Sequence, residues 1–122
     1  MPIADIELVC ESEADFMNVS ARELADALGQ AFRSPPSQTW VRLHLLDSSA
    51  YAENGVIVDG SELPAFVTVL QARCPTGSAL VAEVAAVTGA VAKCIARPLE
   101  RVHVLYAPQG AGRQAFGGRF VE

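Results

Sequence analysis

The chain has 122 residues, of which 51% are hydrophobic and 19% charged, and its formal net charge is -5. This length supports one globular domain, and the apolar content is too high for a disordered chain. The negative charge disfavours nucleic acids and anionic membranes as partners. The N-terminus lacks the basic region of a signal peptide, and we expect no apolar run to reach the length of a membrane span. We therefore expect a cytoplasmic protein that binds neither nucleic acid nor membrane.

Cysteine and histidine give no sign of a metal site. Cys10, Cys74 and Cys94 show neither metal-binding spacing nor a CxxC pair. Their odd number and their apolar or small neighbours indicate reduced thiols in a core. His44 and His103 occupy similar places in the two halves of the chain, and no carboxylate or cysteine completes a site around them. We predict no metal and no cofactor.

A β-α-β unit is predicted in the first half. Residues 2–9 are largely apolar and predict a strand that is covered on both faces. Residues 10–19 are acidic and irregular, which predicts a loop. Ser20 and Glu23 form a capping box, after which apolar residues recur at helical spacing. Two prolines end this helix, and residues 39–46 predict a second strand, which the length of the crossover makes parallel to the first.

The same plan repeats in the second half. Residues 64–70 predict a strand that opens with proline, residues 78–95 a helix, and residues 101–106 a strand. Pro64 is the predicted counterpart of Pro2. A short apolar run at residues 56–58 predicts an edge strand. We therefore predict a single domain over residues 1–122, with repeat one at about 2–47, a link at 48–62, repeat two at about 63–108 and a C-terminal hairpin at 109–122.

These elements predict an α/β fold (α+β in some schemes). Duplicated β-α-β units give a four-stranded mixed sheet with two helices on one face. The opposite face of the sheet is then bare, although the strands are apolar on both sides. Another copy of the chain covers such a face most economically, so the pattern predicts a homo-oligomer.

Pro2 stands directly after Met1, and removal of Met1 turns its ring nitrogen into a secondary amine. The opening Pro2-Ile3-Ala4-Asp5-Ile6, the duplication and the tail Phe116-Gly117-Gly118 resemble the tautomerase superfamily, which includes 4-oxalocrotonate tautomerase and macrophage migration inhibitory factor. Arg42 between Val41 and Leu43 is similar to that family's Val-Arg-Val core, whereas the second half has His103 instead. The resemblance covers nearly the whole chain. It implies a homotrimer whose three sheets face inward as a barrel.

The resemblance also implies roles for six residues. The Pro2 amine is the general base, because an α-amine titrates near 8 and both burial and nearby arginines lower its pKa. The other five are expected to bind a small carboxylate substrate. Arg42 and Arg73 hold the carboxylate and steady the enolate, Tyr106 donates to the enolate oxygen, and Phe116 and Trp40 form an apolar wall.

Three functions stay open at this point. The first is a tautomerase of a small 2-oxo or 2-hydroxydienoic acid. The second is a hydratase-type dehalogenase or decarboxylase of a small 3-oxo or 3-halo acid, with protonated Pro2 as acid and a carboxylate that activates water. Residues 37–39 lack that carboxylate and the C-terminal region offers only Glu122, although Asp47 and Glu53 remain candidates. The third is a non-enzymatic trimeric binding module, which a retained Met1 would favour.

Overall fold

The structure is a computed structural model that describes residues 2–122, so the prediction about removal of Met1 lies outside the described residues. One four-stranded sheet contains β1 (Ile3–Cys10), β2 (Trp40–Asp47), β3 (Ala65–Leu70) and β4 (Val102–Tyr106). The strand order is β2-β1-β3-β4. β1 pairs with β2 and β3 with β4 in parallel, whereas the central pair, β1 and β3, is antiparallel. The predicted mixed sheet is therefore confirmed.

Three helices connect the strands. α2 (Ala21–Ala31) begins at Ser20, whose hydroxyl accepts a hydrogen bond from the Glu23 backbone, as the capping box predicts. α3 (Gly77–Ile95) follows β3. The predicted loop at residues 10–19 is wrong in part, because α1 (Glu13–Met17) lies within it. Its cap explains this short polar helix: the Ser12 hydroxyl accepts from the Asp15 N–H, and five residues are too few to show an apolar period.

The hydrophobic core lies between one face of the sheet and the helices α2 and α3. Alternate residues of β1 and β3 point into it, as the two-residue period of a strand requires. The fully buried members of these two strands that share the core are Ala4, Ile6, Leu8, Cys10, Ala65, Val67 and Val69. The other face is uncovered in the single chain, where Phe66 and Leu105 are exposed.

α3 overturns one expectation from the sequence. It has 19 residues and a mean hydropathy of 1.6, which makes it long and apolar enough to cross a membrane by length and composition. The prediction that no apolar run has this length is therefore wrong. Core helices of two-layer folds meet the same criterion, and Val87, Val91 and Ile95 of α3 are buried against the sheet.

The link and the tail adopt little regular structure. The predicted edge strand at residues 56–58 is wrong: Val56 makes one isolated bridge, with Glu53 across a turn, and Ile57 is fully exposed. The tail forms a hairpin of β5 (Ala115–Phe116) and β6 (Arg119–Phe120). Its two turn glycines both have positive φ, which glycine adopts without strain.

Strand register shifts the correspondence between the two repeats by one residue. Val41 and Val102 both pack against the core, and they pair with Ala4 and Ala65 respectively. Counting back from these alanines, Leu63 is the counterpart of Pro2. The prediction that Pro64 holds that place is therefore wrong, because the buried phase of β3 is offset from the proline spacing.

Candidate active site

Three of the predicted site residues meet where β1 and β2 begin and β3 and β4 end. We call this end of the sheet the Pro2 end. Pro2 itself is buried, and its carbonyl oxygen accepts a 3.1 Å hydrogen bond from the Trp40 N–H. The Phe116 ring stacks on the Trp40 ring with 4.6 Å between centroids. The predicted pair of Trp40 and Phe116 thus forms a stack at the end of the sheet where Pro2 lies.

The tail is held at the Pro2 end by backbone hydrogen bonds. The Gly110 N–H donates to the Gln71 carbonyl oxygen at 2.8 Å, and the Ala111 N–H donates to that of Ala72 at 3.1 Å. Gly110 is closely packed, since a Cβ there would lie 2.6 Å from Oε1 of Gln114 and would displace that side chain. These contacts fix the hairpin that carries Phe116.

Arg42 lies on the uncovered face of the sheet and is already paired. Its Nε and Nη2 each donate to one Asp5 carboxylate oxygen at 2.6 Å, and His44 Nε2 lies 3.6 Å from Asp5 Oδ1. The Arg42 guanidinium lowers the pKa of the Asp5 carboxyl, and Asp5 in turn raises the pKa of Arg42. To bind a substrate carboxylate, Arg42 has to exchange partners with Asp5.

Arg73 and Tyr106 also reach the Pro2 end, but they point elsewhere. Arg73 is exposed, and its Nη1 donates to the Glu122 carbonyl oxygen at 3.2 Å. The Tyr106 hydroxyl lies on the helix side and donates to Glu83 Oε2 at 2.8 Å. Burial and Glu83 raise the pKa of Tyr106, so the hydroxyl keeps its proton at neutral pH. The substrate-binding roles of Arg73 and Tyr106 stay predictions.

Glu83 was missed by sequence reasoning. It lies on α3, and besides the Tyr106 hydroxyl its carboxylate accepts a 3.1 Å hydrogen bond from the Gln71 amide. It also lines a cavity of about 440 Å³ between the C-terminal end of α2 and the first half of α3. In the sequence Glu83 is a single acid in an apolar helix, and the register that brings it beside Gln71 is not visible there.

Polar atoms without partners are concentrated at the Pro2 end. The buried side-chain atoms that lack a hydrogen-bond partner within residues 2–122 are Thr39 Oγ1, Gln71 Oε1, Gln114 Nε2 and Gln114 Oε1. Thr39 directly precedes β2 and Gln71 directly follows β3. Gln114 belongs to the tail and lies beside Gly110, whose N–H donates to the Gln71 carbonyl oxygen. Over the same residues, no group of three or more histidine, cysteine, aspartate or glutamate side chains is arranged to hold a metal.

Solved structures share this arrangement of strands and helices, although no protein-family model and no curated protein matches the sequence. The crystal structure of Pt0534 inactivated by 2-oxo-3-pentynoate is 19% identical, with a TM-score of 0.75 over 97% of this chain and 94% of that chain. Native fused 4-OT is 15% identical, with a TM-score of 0.73 over 97% and 94%. FG41 malonate semialdehyde decarboxylase inhibited by 3-bromopropiolate is 19% identical, with a TM-score of 0.66 over 94% and 90%.

The chain has the tautomerase-superfamily fold. This confirms the resemblance on which the sequence analysis drew, and it confirms the fold class. At such low identity the comparison shows the fold alone. In this fold Pro2 is buried between the start of β2, where the Trp40 N–H binds its carbonyl oxygen, and the end of β3.

Proposed function

We propose that this chain is a cofactor-independent tautomerase that moves a proton in the keto–enol conversion of a small 2-oxo or 2-hydroxydienoic acid. The Pro2 amine, freed by removal of Met1, is the general base. The observation that carries this proposal is the burial of Pro2 at the end of the sheet where the rings of Trp40 and Phe116 stack.

The chemistry follows from that placement. Burial disfavours the cationic form of an amine, so it lowers the pKa of Pro2 and leaves a neutral base at working pH. The amine takes the proton from one end of the enol system and the resulting prolinium returns a proton to the other end, so the reaction balances without a cofactor. Arg42 and Arg73 supply positive charge for the substrate carboxylate and the enolate.

A homotrimer is part of the same proposal. Fused 4-OT, whose fold this chain shares, forms trimers. The uncovered face of the sheet carries Phe66, Leu105 and the Asp5–Arg42 pair, and an assembled barrel would shield it from water. Arg42 then lies at a subunit interface. A neighbouring copy can pair with Asp5 there, which frees Arg42 for the substrate, or it can complete the site.

A second candidate function has one observation in its favour. Glu83 supplies the carboxylate that a hydratase-type dehalogenase or decarboxylase needs, and Gln71 links it to the Pro2 end. A similar fold occurs in malonate semialdehyde decarboxylase. We rank this function second because the cavity that Glu83 lines lies between the helices, and not beside Trp40 and Phe116.

The test compares the native chain with Pro2→Ala after intact mass has established that Met1 is absent. We expect enolisation of phenylpyruvate or ketonisation of 2-hydroxymuconate to fall by about 10²- to 10⁴-fold in Pro2→Ala, the contribution typical of general base catalysis. Pro108→Ala, an exposed proline in the tail, is the matched control and should retain the native rate. Equal rates for native chain and Pro2→Ala would refute the proposal. Faster turnover of malonate semialdehyde or a 3-haloacrylate would favour the second candidate.

A further inference from the structure

Pro2 lies in the middle of a three-residue row across the sheet. In the β1–β2 pair Ile3 stands opposite Trp40, so the preceding residues, Pro2 and Thr39, are neighbours. In the β1–β3 pair Ile3 stands opposite Leu70, so the next antiparallel step places Pro2 opposite Gln71. Pro2 is thus flanked by Thr39 on one side and by Gln71 on the other.

All three side chains of this row are on the helix side of the sheet. Pro2 is buried in phase with Ala4, which belongs to the core. A Cβ on Gly29 of α2 would lie 3.9 Å from Thr39 Oγ1, and the Gln71 amide donates to Glu83 of α3. The Thr39 side chain therefore faces α2 and the Gln71 side chain faces α3, one on each side of Pro2.

The two flanking residues share an unusual property. Thr39 Oγ1 and Gln71 Oε1 are both buried, and neither has a hydrogen-bond partner within residues 2–122. Buried polar atoms are nearly always paired in native proteins, because leaving one unpaired costs its lost hydration. Two buried acceptors without partners therefore flank Pro2.

We propose that Thr39 and Gln71 are positioning residues for the Pro2 amine. In the prolinium state, Thr39 Oγ1 and Gln71 Oε1 accept hydrogen bonds from its two N–H groups. This rests on the proposed function, since only a Pro2 without Met1 has an amine. The Trp40 N–H donates to the Pro2 carbonyl, so the backbone of Pro2 is held directly beside Thr39 at the start of β2. Gln71 then connects the amine to Glu83, which the Tyr106 hydroxyl also holds.

The consequence is a stabilised prolinium. Hydrogen bonds to the charged form of a group favour that form, so the two acceptors raise the pKa of the amine against the effect of burial. The charged groups nearby are Glu83 on α3 and Arg33 after α2, which line one cavity, the paired Asp5 and Arg42 on the opposite face, and exposed Arg73. A base that receives a proton during turnover benefits from this, because its cation is held in place for the return step.

The experiment titrates the Pro2 amine directly, by NMR of protein labelled with [¹⁵N]proline whose mass shows that Met1 is absent. We expect Thr39→Val and Gln71→Met each to lower the amine pKa by about half a unit to one unit, and Thr39→Ser to keep the native value because it retains the hydroxyl. The acid limb of the kcat/KM pH profile should move with the amine. The matched controls with no expected shift are Thr88→Val, whose native hydroxyl donates to the Val84 carbonyl within α3, and Gln109→Met, at an exposed position in the tail.

Each outcome separates the two proposals. An unchanged amine pKa in both Thr39→Val and Gln71→Met would overturn the positioning role even if the native chain is a tautomerase. A shifted pKa in a chain that ketonises no 2-oxo acid would overturn the proposed function and support the positioning role. If Gln71→Met fails to fold, the pair Thr39→Val and Thr39→Ser decides alone. A retained Met1 overturns both.

Discussion

The two ends of the four-stranded sheet treat their polar atoms in opposite ways. At the end remote from Pro2, which we call the Arg97 end, β1 and β2 finish and β3 and β4 begin. There the Arg97 guanidinium donates from Nη1 to the carbonyl oxygens of Val9 at 2.6 Å and Leu63 at 2.7 Å, and from Nη2 to Cys10 Sγ at 3.4 Å. One side chain thus joins the first strand to the residues that open the second repeat.

A second cluster completes the Arg97 end. Arg101 donates to the Glu53 carboxylate, and the Tyr51 hydroxyl donates to the same Glu53 oxygen at 2.5 Å. The four buried side-chain atoms that lack partners within residues 2–122 all lie at the Pro2 end instead. Hydrogen bonds from side chains stabilise the Arg97 end of the sheet. The Pro2 end keeps unpaired polar groups, and the proposed chemistry takes place there.

The largest expected effect comes from breaking the satisfied end. Arg97→Met keeps the apolar stem but leaves the carbonyl oxygens of Val9 in β1 and Leu63 at the start of the second repeat without this donor. We expect the free energy of unfolding to fall by about 3 kcal/mol, since each lost charge-assisted hydrogen bond exposes an unpaired acceptor. Urea denaturation measures this. Arg22→Met, an exposed position in α2, is the control, and an Arg97→Met chain as stable as that control would contradict the comparison.

The strands, α2, α3 and the tail hairpin were predictable because each depends on local signals. Apolar alternation, the Ser20 capping box and paired glycines act within a few residues of chain. α1 and the absent strand at residues 56–58 were not predictable by the same means. α1 depends on one Ser12 cap, and the run at 56–58 has strand-forming residues but no neighbouring strand to pair with.

Phe116 tests the apolar part of the Pro2 end. Phe116→Ala removes the stack on Trp40, and we expect the free energy of unfolding to fall by about 2 kcal/mol, from lost burial together with aromatic stacking. Phe120→Ala in the same hairpin is the control, and because Phe120 is 68% exposed its loss should be below about 0.5 kcal/mol. Similar losses in both variants would mean that the stack does not anchor the tail.

The candidate site was predictable only in part. Pro2, Trp40 and Phe116 were found by resemblance, and the structure brings them together. Thr39 and Gln71 carry no motif, because their importance comes from standing opposite Pro2 in two different strand pairs. Such a row can be recognised only when the register of three strands is known, and no property of a single segment reveals it.

Thr39 gives a smaller effect that depends on the state of the N-terminus. In a chain with an N-terminal extension, Pro2 is an amide and Thr39 Oγ1 stays unpaired, so Thr39→Val should raise the free energy of unfolding by about 0.5–1 kcal/mol. In the trimmed chain the hydroxyl has the amine as partner, and the gain should disappear. Thermal unfolding of the four proteins measures the difference. The same gain in extended and trimmed chains would mean that the two ends differ in polarity but that the amine satisfies nothing.

The smallest effect concerns the free energy of unfolding at acid pH. It compares an arginine–carboxylate pair at each end of the sheet. Tyr51 and Arg101 lower the pKa of Glu53 from its ordinary 4.5, as Arg42 lowers that of Asp5 from 3.8. A carboxyl whose folded pKa is lowered stabilises the fold above its unfolded pKa and loses that contribution as the pH falls through the folded value. The Glu53 pair is less exposed, with side chains at 17% and 27% against 66% and 34% for Arg42 and Asp5, so water screens it less.

Glu53→Gln should therefore flatten the loss of stability below pH 4.5 more than Asp5→Asn does below pH 3.8. Chemical denaturation at a series of pH values measures both slopes, and above pH 5 the difference between each variant and the native chain should stay constant, within about the precision of the extrapolation. A larger change for Asp5→Asn would place the stronger ion pair at the Pro2 end. Arg42 would then be too firmly bound to Asp5 to exchange with a substrate carboxylate.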